Sequence, residues 1–368
     1  MTMAAAIDDR TANGWSKASR IAGIDIAHDL ASAEAIWRGL ENEQSSYTPY
    51  QRYGFVHAWQ SQVGGHEGLS PFIVTAFDAE RRPLLLLPLA LRNVYGARCA
   101  GFMGGKHSTF NMALFDRDFA ISATQGDMEA LIAAISRRAE ADVLALHQQP
   151  LIWRDLPNPL ALLQHQPSAN DCPLLKLQPG AAPADLISNS FRRRLKGKER
   201  KLQPLPGYRY HIASTEADIA RLLDWFFRIK PLRMAEQKLP NVFADPGIED
   251  FIRSACTTPL ADGKHVIDIH ALECDEEVIA IFAGVADGNR FSMMFNTYTM
   301  SPSSKYSPGL ILMRDIVDHY AGQDYRAFDL GIGSDDYKRL FCKDDEPIFD
   351  SFIPLSSRGK LAAGVMSG

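Results

Sequence analysis

Residues Arg290–Leu330 read RFSMMFNTYTMSPSSKYSPGLILMRDIVDHYAGQDYRAFDL, which is the pattern of a strand, a loop, a helix and a second strand. The first strand ends at Tyr298. The helix begins at Pro308, since proline in the first turn of a helix loses no hydrogen bond. The apolar run Tyr325–Leu330 predicts a buried strand. Two strand-like runs precede this stretch, at His265–Glu273 and Val278–Ala286. The order predicts a meander of three antiparallel strands, then a helix and a parallel strand.

The first half of the chain has the same order of elements at an offset of roughly 185–195 positions. Its meander, helix and last strand are predicted at Pro71–Phe77, Pro83–Asn93, Ala97–Met103, Gly126–Ala139 and Asp142–His147. A short strand and two helices precede each meander, at Arg20–Ile26, Ala31–Glu43 and Tyr50–Val63, and again at Tyr208–Ala213, Glu216–Ile229 and Pro246–Cys256. We therefore predict an α/β chain with a tail over residues 1–18, an N-terminal domain over 19–180, a basic connecting helix over 181–205, a C-terminal domain over 206–356 and a tail over 357–368.

The composition is that of a globular protein. Hydrophobic residues make up 46% and charged residues 23% of the chain, which excludes a disordered chain, a coiled coil and a collagen. The net charge of -5 means that an anionic ligand must be bound by a local cluster of cations. The five cysteines are scattered without a Cys-x-x-Cys pair, which disfavours a disulfide framework or a zinc site. The longest apolar run, Pro83–Leu91, is too short to span a bilayer, and no signal peptide is visible, so we expect a cytoplasmic protein.

A meander followed by a helix and a parallel strand resembles an acyl-CoA-dependent N-acetyltransferase (GNAT) domain, and two in tandem resemble the FemAB-like architecture. The motifs look most like those of CelD/BcsL-type proteins, which are GNAT-related acyltransferases linked to cellulose and exopolysaccharide synthesis. The segments that carry this resemblance are Thr48-Pro-Tyr50, Leu87-Pro-Leu89, the basic run from Phe191, Tyr306-Ser-Pro-Gly-Leu-Ile-Leu312, Phe328-Asp-Leu-Gly331 and Asp336-Tyr-Lys-Arg-Leu-Phe341. The resemblance covers about residues 20–355 and implies mixed, mostly antiparallel sheets flanked by helices.

The loop before the second-half helix, Lys305-Tyr-Ser-Pro-Gly-Leu310, is the candidate cofactor site. Free N–H groups and the helix dipole favour an anion there, and Gly309 lets a phosphate approach the backbone. By the resemblance, the pyrophosphate of acyl-CoA (acetyl-CoA) binds at this position. The implied cofactor-binding residues are Lys305, Ser307, Gly309, Leu310, Gly331 and Gly333. An ordinary helix cap with Ser307 as N-cap is the alternative, and the loop has one glycine where the GNAT pattern Gln/Arg-x-x-Gly-x-Gly/Ala has a second small residue.

The segment Phe328–Lys338 is the candidate catalytic site. Asp329 lies in an apolar strand, where an ionised carboxylate is costly unless it is paired. We expect Asp329 to act as general base on an acceptor amine or hydroxyl. Lys338 would steady a developing oxyanion or a phosphate, and Tyr337 is the third candidate catalytic residue. A structural ion pair between Asp329 and Lys338 is the alternative.

Two further regions supply candidate binding residues. Candidate contacts for the acceptor are Glu236, Arg233, Asn296 and Tyr298, with His107 from the first half. The run Phe191–Lys201 carries seven basic residues and one acidic residue. It would attract CoA, a lipid-linked sugar or RNA, or it is a solvated helix at the domain junction.

The expected function is the metal-independent transfer of an acyl group from acyl-CoA to an amine or hydroxyl of a sugar, polysaccharide or cell-envelope precursor. Two alternatives stay open. One is an aminoacyl-tRNA-dependent peptidyltransferase of the FemAB type, in which the basic run meets tRNA. The other is a non-catalytic GNAT fold that serves exopolysaccharide synthesis as an accessory protein. The phosphate-loop, His-Glu-x-x-His and Gly-x-Ser-x-Gly motifs are missing, which disfavours nucleotide hydrolysis, zinc chemistry and serine hydrolysis.

Overall fold

The computed structural model describes residues 19–94, 96–170, 172–178, 180–333 and 335–367. The predicted tail over residues 1–18 lies outside the described residues. Two mixed sheets and the helices around them form the described chain, so the predicted fold class is confirmed. The helices are α1 Leu30–Gly39, α2 Tyr53–Trp59, α3 Arg117–Ser122, α4 Gln125–Arg138, α5 Pro183–Leu186, α6 Asn189–Glu199, α7 Glu216–Glu236, α8 Ile248–Thr257, α9 Pro308–Ala321 and α10 Ser357–Ser367.

The first sheet is built mainly from the first half of the chain. Its strands are β1 Gly23–Ala27, β2 Ser45–Ser46, β3 Ser70–Phe77, β4 Pro83–Val94, β5 Ala97–Phe102, β6 Leu114–Asp116, β7 Val143–Pro150, β10 Gln166–Pro167 and β18 Ile348–Pro354. A separate small hairpin consists of β8 Ile152–Trp153 and β9 Leu156–Pro157. Strand β5 pairs in parallel with β7, and the other pairs in this sheet are antiparallel.

The second sheet has the order β12-β13-β14-β15-β16-β11-β17. Its strands are β11 Cys172–Lys176, β12 Arg209–Ile212, β13 Asp268–Glu273, β14 Val278–Ala286, β15 Arg290–Tyr298, β16 Ala327–Asp329 and β17 Asp344–Glu346. Strand β14 is buried along its whole length, which explains its continuous apolar sequence. Helix α9 packs across β13, β14 and β15 through Ile311, Leu312 and Ile316. The strand, helix and strand of the quoted stretch are thus arranged as predicted.

Two strands are exchanged between the halves of the chain. Strand β11 precedes residue 180, yet it pairs with β16 and β17 in the second sheet. Strand β18 follows the second sheet, yet it pairs with β7 and β10 in the first. The predicted boundaries at residues 180 and 206 therefore do not separate the two sheets. Neither β11 nor β18 is among the strands predicted from the sequence, and an apolar run in any case does not identify the strand with which it pairs.

The end of the chain is also different from the prediction, since residues 357–367 form α10 instead of a tail. Ala362 and Ala363 of this helix are buried against Ala97, Cys99 and Val143. Small residues let α10 lie close to the first sheet, so this helix packs directly against β5 and β7.

Gly359→Ala is expected to lower the free energy of unfolding by about 1–3 kcal/mol. A Cβ at Gly359 would overlap the backbone carbonyl of Asp142, so α10 must shift away from the sheet. Urea unfolding measures the effect. Gly364→Ala is the matched control, because a Cβ there meets nothing within 4 Å. Equal stability of the two variants would contradict the docking of α10.

Candidate active site

The candidate site lies where β15 and β16 separate. The two strands pair in parallel only from Arg290 to Ser292, opposite Ala327 to Asp329. Strand β16 ends at Asp329 while β15 continues to Tyr298. The rest of β15 therefore has no partner on that side. Two cavities lie along the gap.

The helix-start cavity has a volume of about 460 Å³ and lies beside the beginning of α9. Its lining includes Arg233, Tyr298, Ser304, Ser307, Gly309 and Leu310. The guanidinium of Arg233 stacks over the ring of Tyr298, with its carbon 3.4 Å from the ring centre. This cavity contains three of the predicted cofactor residues (Ser307, Gly309 and Leu310) and three of the predicted acceptor residues (Arg233, Asn296 and Tyr298).

The start of α9 has no side-chain cap. Ser307 is at the N-cap position in a left-handed conformation, with φ 55° and ψ 51°, and its hydroxyl caps no helical N–H. That hydroxyl instead accepts a hydrogen bond of 2.6 Å from Nζ of Lys198. The alternative of an ordinary serine cap is therefore wrong. The helix dipole and Lys198 together make this helix start electropositive.

The sequence contained a signal for Lys198 that was not used. The buried face of α6 carries Phe191 and Leu195. Lys198 is three residues after Leu195 and so lies on nearly the same face. Arg192 also makes an internal ion pair, because both of its terminal nitrogens donate hydrogen bonds to the Asp318 carboxylate, at 2.6 and 2.8 Å. The basic run is thus in part a structural element of the second domain.

The equivalent helix of the first half, α4, begins differently. Thr124 and Asp127 form a capping box, in which each side chain accepts a hydrogen bond from the other's backbone N–H. The Asp127 carboxylate also accepts from the N–H of Arg20 at 2.7 Å. A carboxylate of the protein therefore already occupies this anion position. Of the two helix starts, only that of α9 is open to an external anion.

The interdomain cavity has a volume of about 390 Å³. Residues from both halves line it, among them Lys106, His107, Thr109, Phe251, Met293, Gly331 and Lys338. Three residues line both cavities: Lys230, Asn296 and Tyr337. Nζ of Lys230 donates a hydrogen bond of 2.9 Å to the backbone oxygen of Asn296. The two cavities thus meet at the unpaired part of β15.

Asp329 is fully buried and lines neither cavity. Its carboxylate accepts from the Ser292 hydroxyl at 2.5 Å and from the Gly331 N–H at 3.1 Å, and it lies 3.8 Å from Arg290. Burial raises the pKa of the Asp329 carboxyl to about 6, and Arg290 opposes that rise. Asp329 therefore holds the end of β16 and the following loop in place.

Lys338 does not pair with Asp329. Its Nζ donates to the carbonyl oxygens of Gly331 at 3.1 Å and Ile332 at 2.9 Å, and it lies 3.6 Å from Asp335. The alternative of an Asp329–Lys338 ion pair is therefore wrong. Lys338 closes the loop after β16 through backbone carbonyls.

The remaining predicted residues divide into two groups. His107 lines the interdomain cavity, where its Nδ1 accepts from the Trp59 indole at 3.2 Å. Burial, and then Lys106, lowers the pKa of His107 to about 4, so this imidazole is neutral near pH 7. The predicted residues that line neither cavity, besides Asp329, are Lys305, Gly333 and Glu236.

A buried cation that the sequence did not single out lies behind the site. Arg290 is 5% exposed and pairs with Asp329 and Glu346. Its guanidinium carbon lies 5.0 Å from the ring centre of Phe110 and 4.7 Å from that of Trp153. Arg290 therefore connects the second sheet to the aromatic core of the first half.

Among the described residues, no group of three or more His, Cys, Asp or Glu side chains could hold a metal ion. In the same part of the chain, no helix has both the length and the apolar character needed to cross a membrane.

Residues 189–339 match the family described as the acetyltransferase (GNAT) domain. No curated protein matches the sequence. The solved structure of FemX is similar, with a TM-score of 0.58 at 7% identity over 92% of this chain and 100% of FemX. A conserved protein of unknown function from Bacteroides thetaiotaomicron has a TM-score of 0.55 at 11% identity over 90% of this chain and 99% of its own.

The C-terminal domain of a putative lysylphosphatidylglycerol synthetase from Agrobacterium fabrum is also similar, with a TM-score of 0.53 at 11% identity over 91% of this chain and 95% of that one. At such identities the likeness shows the fold. The predicted fold is thus confirmed, the family match supports a GNAT domain over residues 189–339, and the FemAB-like and CelD/BcsL assignments stay predictions.

Proposed function

We propose that this chain is an acyltransferase that binds acyl-CoA in the helix-start cavity and transfers the acyl group to an amine or hydroxyl in the interdomain cavity. The observation that carries this proposal is the meeting of the two cavities at Lys230, Asn296 and Tyr337, in the gap between β15 and β16. A donor and an acceptor bound on the two sides would be held next to each other, and such proximity supplies much of the acceleration of a two-substrate reaction.

The residues at the start of α9 fit the diphosphate of acyl-CoA. The helix start has no side-chain cap, and Lys198 lies next to Ser307. Gly309 presents its backbone beside the ring of Tyr298, which an added Cβ would approach to 3.5 Å. The first half offers no equivalent position at α4, because Asp127 already occupies it. When bound, acyl-CoA supplies the thioester that activates the acyl carbonyl.

The residues around the meeting point have distinct proposed roles. Burial raises the pKa of the Tyr337 hydroxyl to about 12. Tyr337 therefore keeps its proton near pH 7 and is suited to donate it to the departing thiolate. Asp329 and Lys338 act as positioning residues, because both hold Gly331 of the loop that lines the interdomain cavity. The acceptor class, a sugar or cell-envelope precursor, rests on the resemblance to CelD/BcsL-type proteins.

Thermal unfolding with acetyl-CoA and with free CoA tests the proposal. A ligand at 100 times its dissociation constant stabilises by about 2.7 kcal/mol, which raises Tm by a few degrees in a chain of this size. Lys198→Ala is expected to weaken CoA binding about tenfold, since a charge-assisted contact to phosphate is lost. Lys196→Ala, at an exposed position of the same helix, is the matched control.

Absence of a shift with either compound would contradict the acyl-CoA proposal. Binding of charged tRNA with a steep salt dependence would then favour the peptidyltransferase alternative. A shift with CoA leads to a screen of amino sugars and sugars, with release of the CoA thiol as the readout.

A further inference from the structure

We propose that Lys230 is the catalytic base, which takes the proton of the acceptor amine or hydroxyl as the acyl group is transferred. This inference rests on the proposed function and names the group that acts at the meeting point of the two cavities. Nothing in the sequence singles out Lys230, which lies between Arg228 and Arg233 in a helix with several charged residues.

The position of Lys230 is the first reason. It lies on α7, which packs against β15, and its side chain lines both cavities. Its Nζ is bonded to the Asn296 carbonyl, on the part of β15 that β16 leaves unpaired. A base must reach the proton that it takes from the acceptor, and Lys230 lines both the donor and the acceptor cavity at the point where they meet.

The charges around Lys230 are the second reason. In the described structure no carboxylate lies within ion-pair distance of its Nζ, whereas Lys106 pairs with Asp245 and Lys338 lies near Asp335. The charged groups that interact with it are Arg233 from α7 and Asp335 from the loop after β16. The other titratable groups that line the same cavity are Tyr337, Lys338, Lys106 and His107. Burial, and then Arg233, lowers the pKa of Lys230 to about 8, and Asp335 opposes this. A sizeable fraction of the amine is therefore neutral near pH 7.5 and has a free lone pair.

The other titratable groups near the site are less suited to accept a proton. Asp329 lines neither cavity. His107 lines only the interdomain cavity, and its Nδ1 already accepts from Trp59. Lys338 is committed to two carbonyl oxygens. Burial lowers the pKa of Lys230 and raises the pKa of Tyr337. Near pH 7 the two side chains therefore suit the roles of base and acid, respectively.

In the proposed acyl transfer, the acceptor nitrogen or oxygen forms a bond to the thioester carbonyl carbon, and its proton passes to Nζ of Lys230. The bond between that carbon and sulfur breaks, and the sulfur takes the proton of Tyr337. The Lys230 ammonium then returns its proton to the Tyr337 oxygen. The acylated acceptor and the CoA thiol leave, and both side chains have regained their initial protonation states.

The first test needs no acceptor. Competitive labelling with acetic anhydride, read by mass spectrometry, gives the reactivity of each lysine against pH. We expect Lys230 to reach half of its full reactivity near pH 8, about two pH units below an unperturbed lysine. Saturating CoA should protect Lys230 at least fivefold, while exposed Lys238 beyond α7 is unaffected. A midpoint near pH 10, absence of labelling, or absence of protection would each overturn the proposal.

The second test separates a base from a positive charge. Hydrolysis of acetyl-CoA, with water as the acceptor, is followed by release of the CoA thiol. We expect Lys230→Met and Lys230→Arg both to lower the rate at least tenfold, because arginine keeps the charge but accepts no proton near neutral pH. A rate in Lys230→Arg equal to that of the native protein would overturn the assignment.

CoA binding by thermal unfolding accompanies each variant. A retained shift shows that the variant is folded and that the donor site is intact, so a loss of rate then belongs to Lys230. Absence of a CoA shift in the native protein would instead count against the proposed function.

Discussion

Arg290→Met is expected to lower the free energy of unfolding by about 3–5 kcal/mol, because it leaves buried carboxylates without their cation. Arg290 bonds to Glu346 and lies 3.8 Å from Asp329, which is fully buried. Methionine replaces the aliphatic part of the arginine side chain and so limits the cavity that the substitution leaves. The loss therefore reports mainly the missing charge.

Chemical denaturation at several pH values measures this effect. The pKa of Asp329 is raised to about 6 from its ordinary 3.8. The protonated Asp329 carboxyl therefore stabilises the fold. Its contribution to the free energy of unfolding is fully present below pH 3.8 and is lost as the pH rises through about 6. Without Arg290 the rise is no longer opposed, so the deficit of Arg290→Met should be larger at pH 8 than at pH 5.

Two further variants define the cause. Arg82→Met removes an arginine that is 74% exposed and paired with Asp78, and it should change the stability little, because an exposed ion pair contributes little. Addition of Asp329→Asn and Glu346→Gln to Arg290→Met should restore part of the lost stability. A deficit below that of Arg82→Met would show that the carboxylates do not depend on Arg290.

Gly309→Asp is expected to weaken CoA binding at least about 100-fold, since two like charges a few ångströms apart repel by several kcal/mol near a protein surface. The new carboxylate would lie in the first turn of α9, where the diphosphate is proposed to bind. It would imitate the carboxylate that Asp127 places at the start of α4. The fold should tolerate the change, because a Cβ at Gly309 is 3.5 Å from the Tyr298 ring, an ordinary contact.

Titration calorimetry with CoA measures the affinity. Gly126→Asp is a matched control, because Gly126 has the same place in the first turn of α4 and a Cβ there is 3.8 Å from the Thr124 hydroxyl. It should leave CoA binding unchanged. Gly309→Ala separates the charge from the added bulk. Unchanged affinity in Gly309→Asp would place the diphosphate elsewhere.

The elements with a strong local pattern were predicted closely from the sequence. Val278–Ala286 and Arg290–Tyr298 have the predicted bounds, and α9 is one residue longer than predicted. Alternation, turns and caps determine such elements locally. The exchange of β11 and β18 could not be read in the same way, because strand pairing is decided by contacts between residues far apart in the sequence.

The parts of the candidate site that have a local sequence pattern could also be predicted. Ser307 and Gly309 stand in a recognisable loop and helix start, and both line a cavity. Lys230 and Arg290 were missed because surface and buried cations look alike in a sequence. Their burial depends on how α7 and β15 meet other elements, which only the assembled structure shows. Lys198, by contrast, is indicated by its place three residues after Leu195 on the buried face of α6.

The exchanged strands restrict how the molecule can open. Strand β11 lies between β16 and β17, and β18 lies between β7 and β10. Each half therefore contributes one strand to the other's sheet, one place in from the edge. Because β10 pairs with β18 and β11 pairs with β17, the two crossings lie side by side. Pulling the halves apart would have to break the ladder hydrogen bonds of both exchanged strands, whereas bending at the crossings would leave those ladders intact.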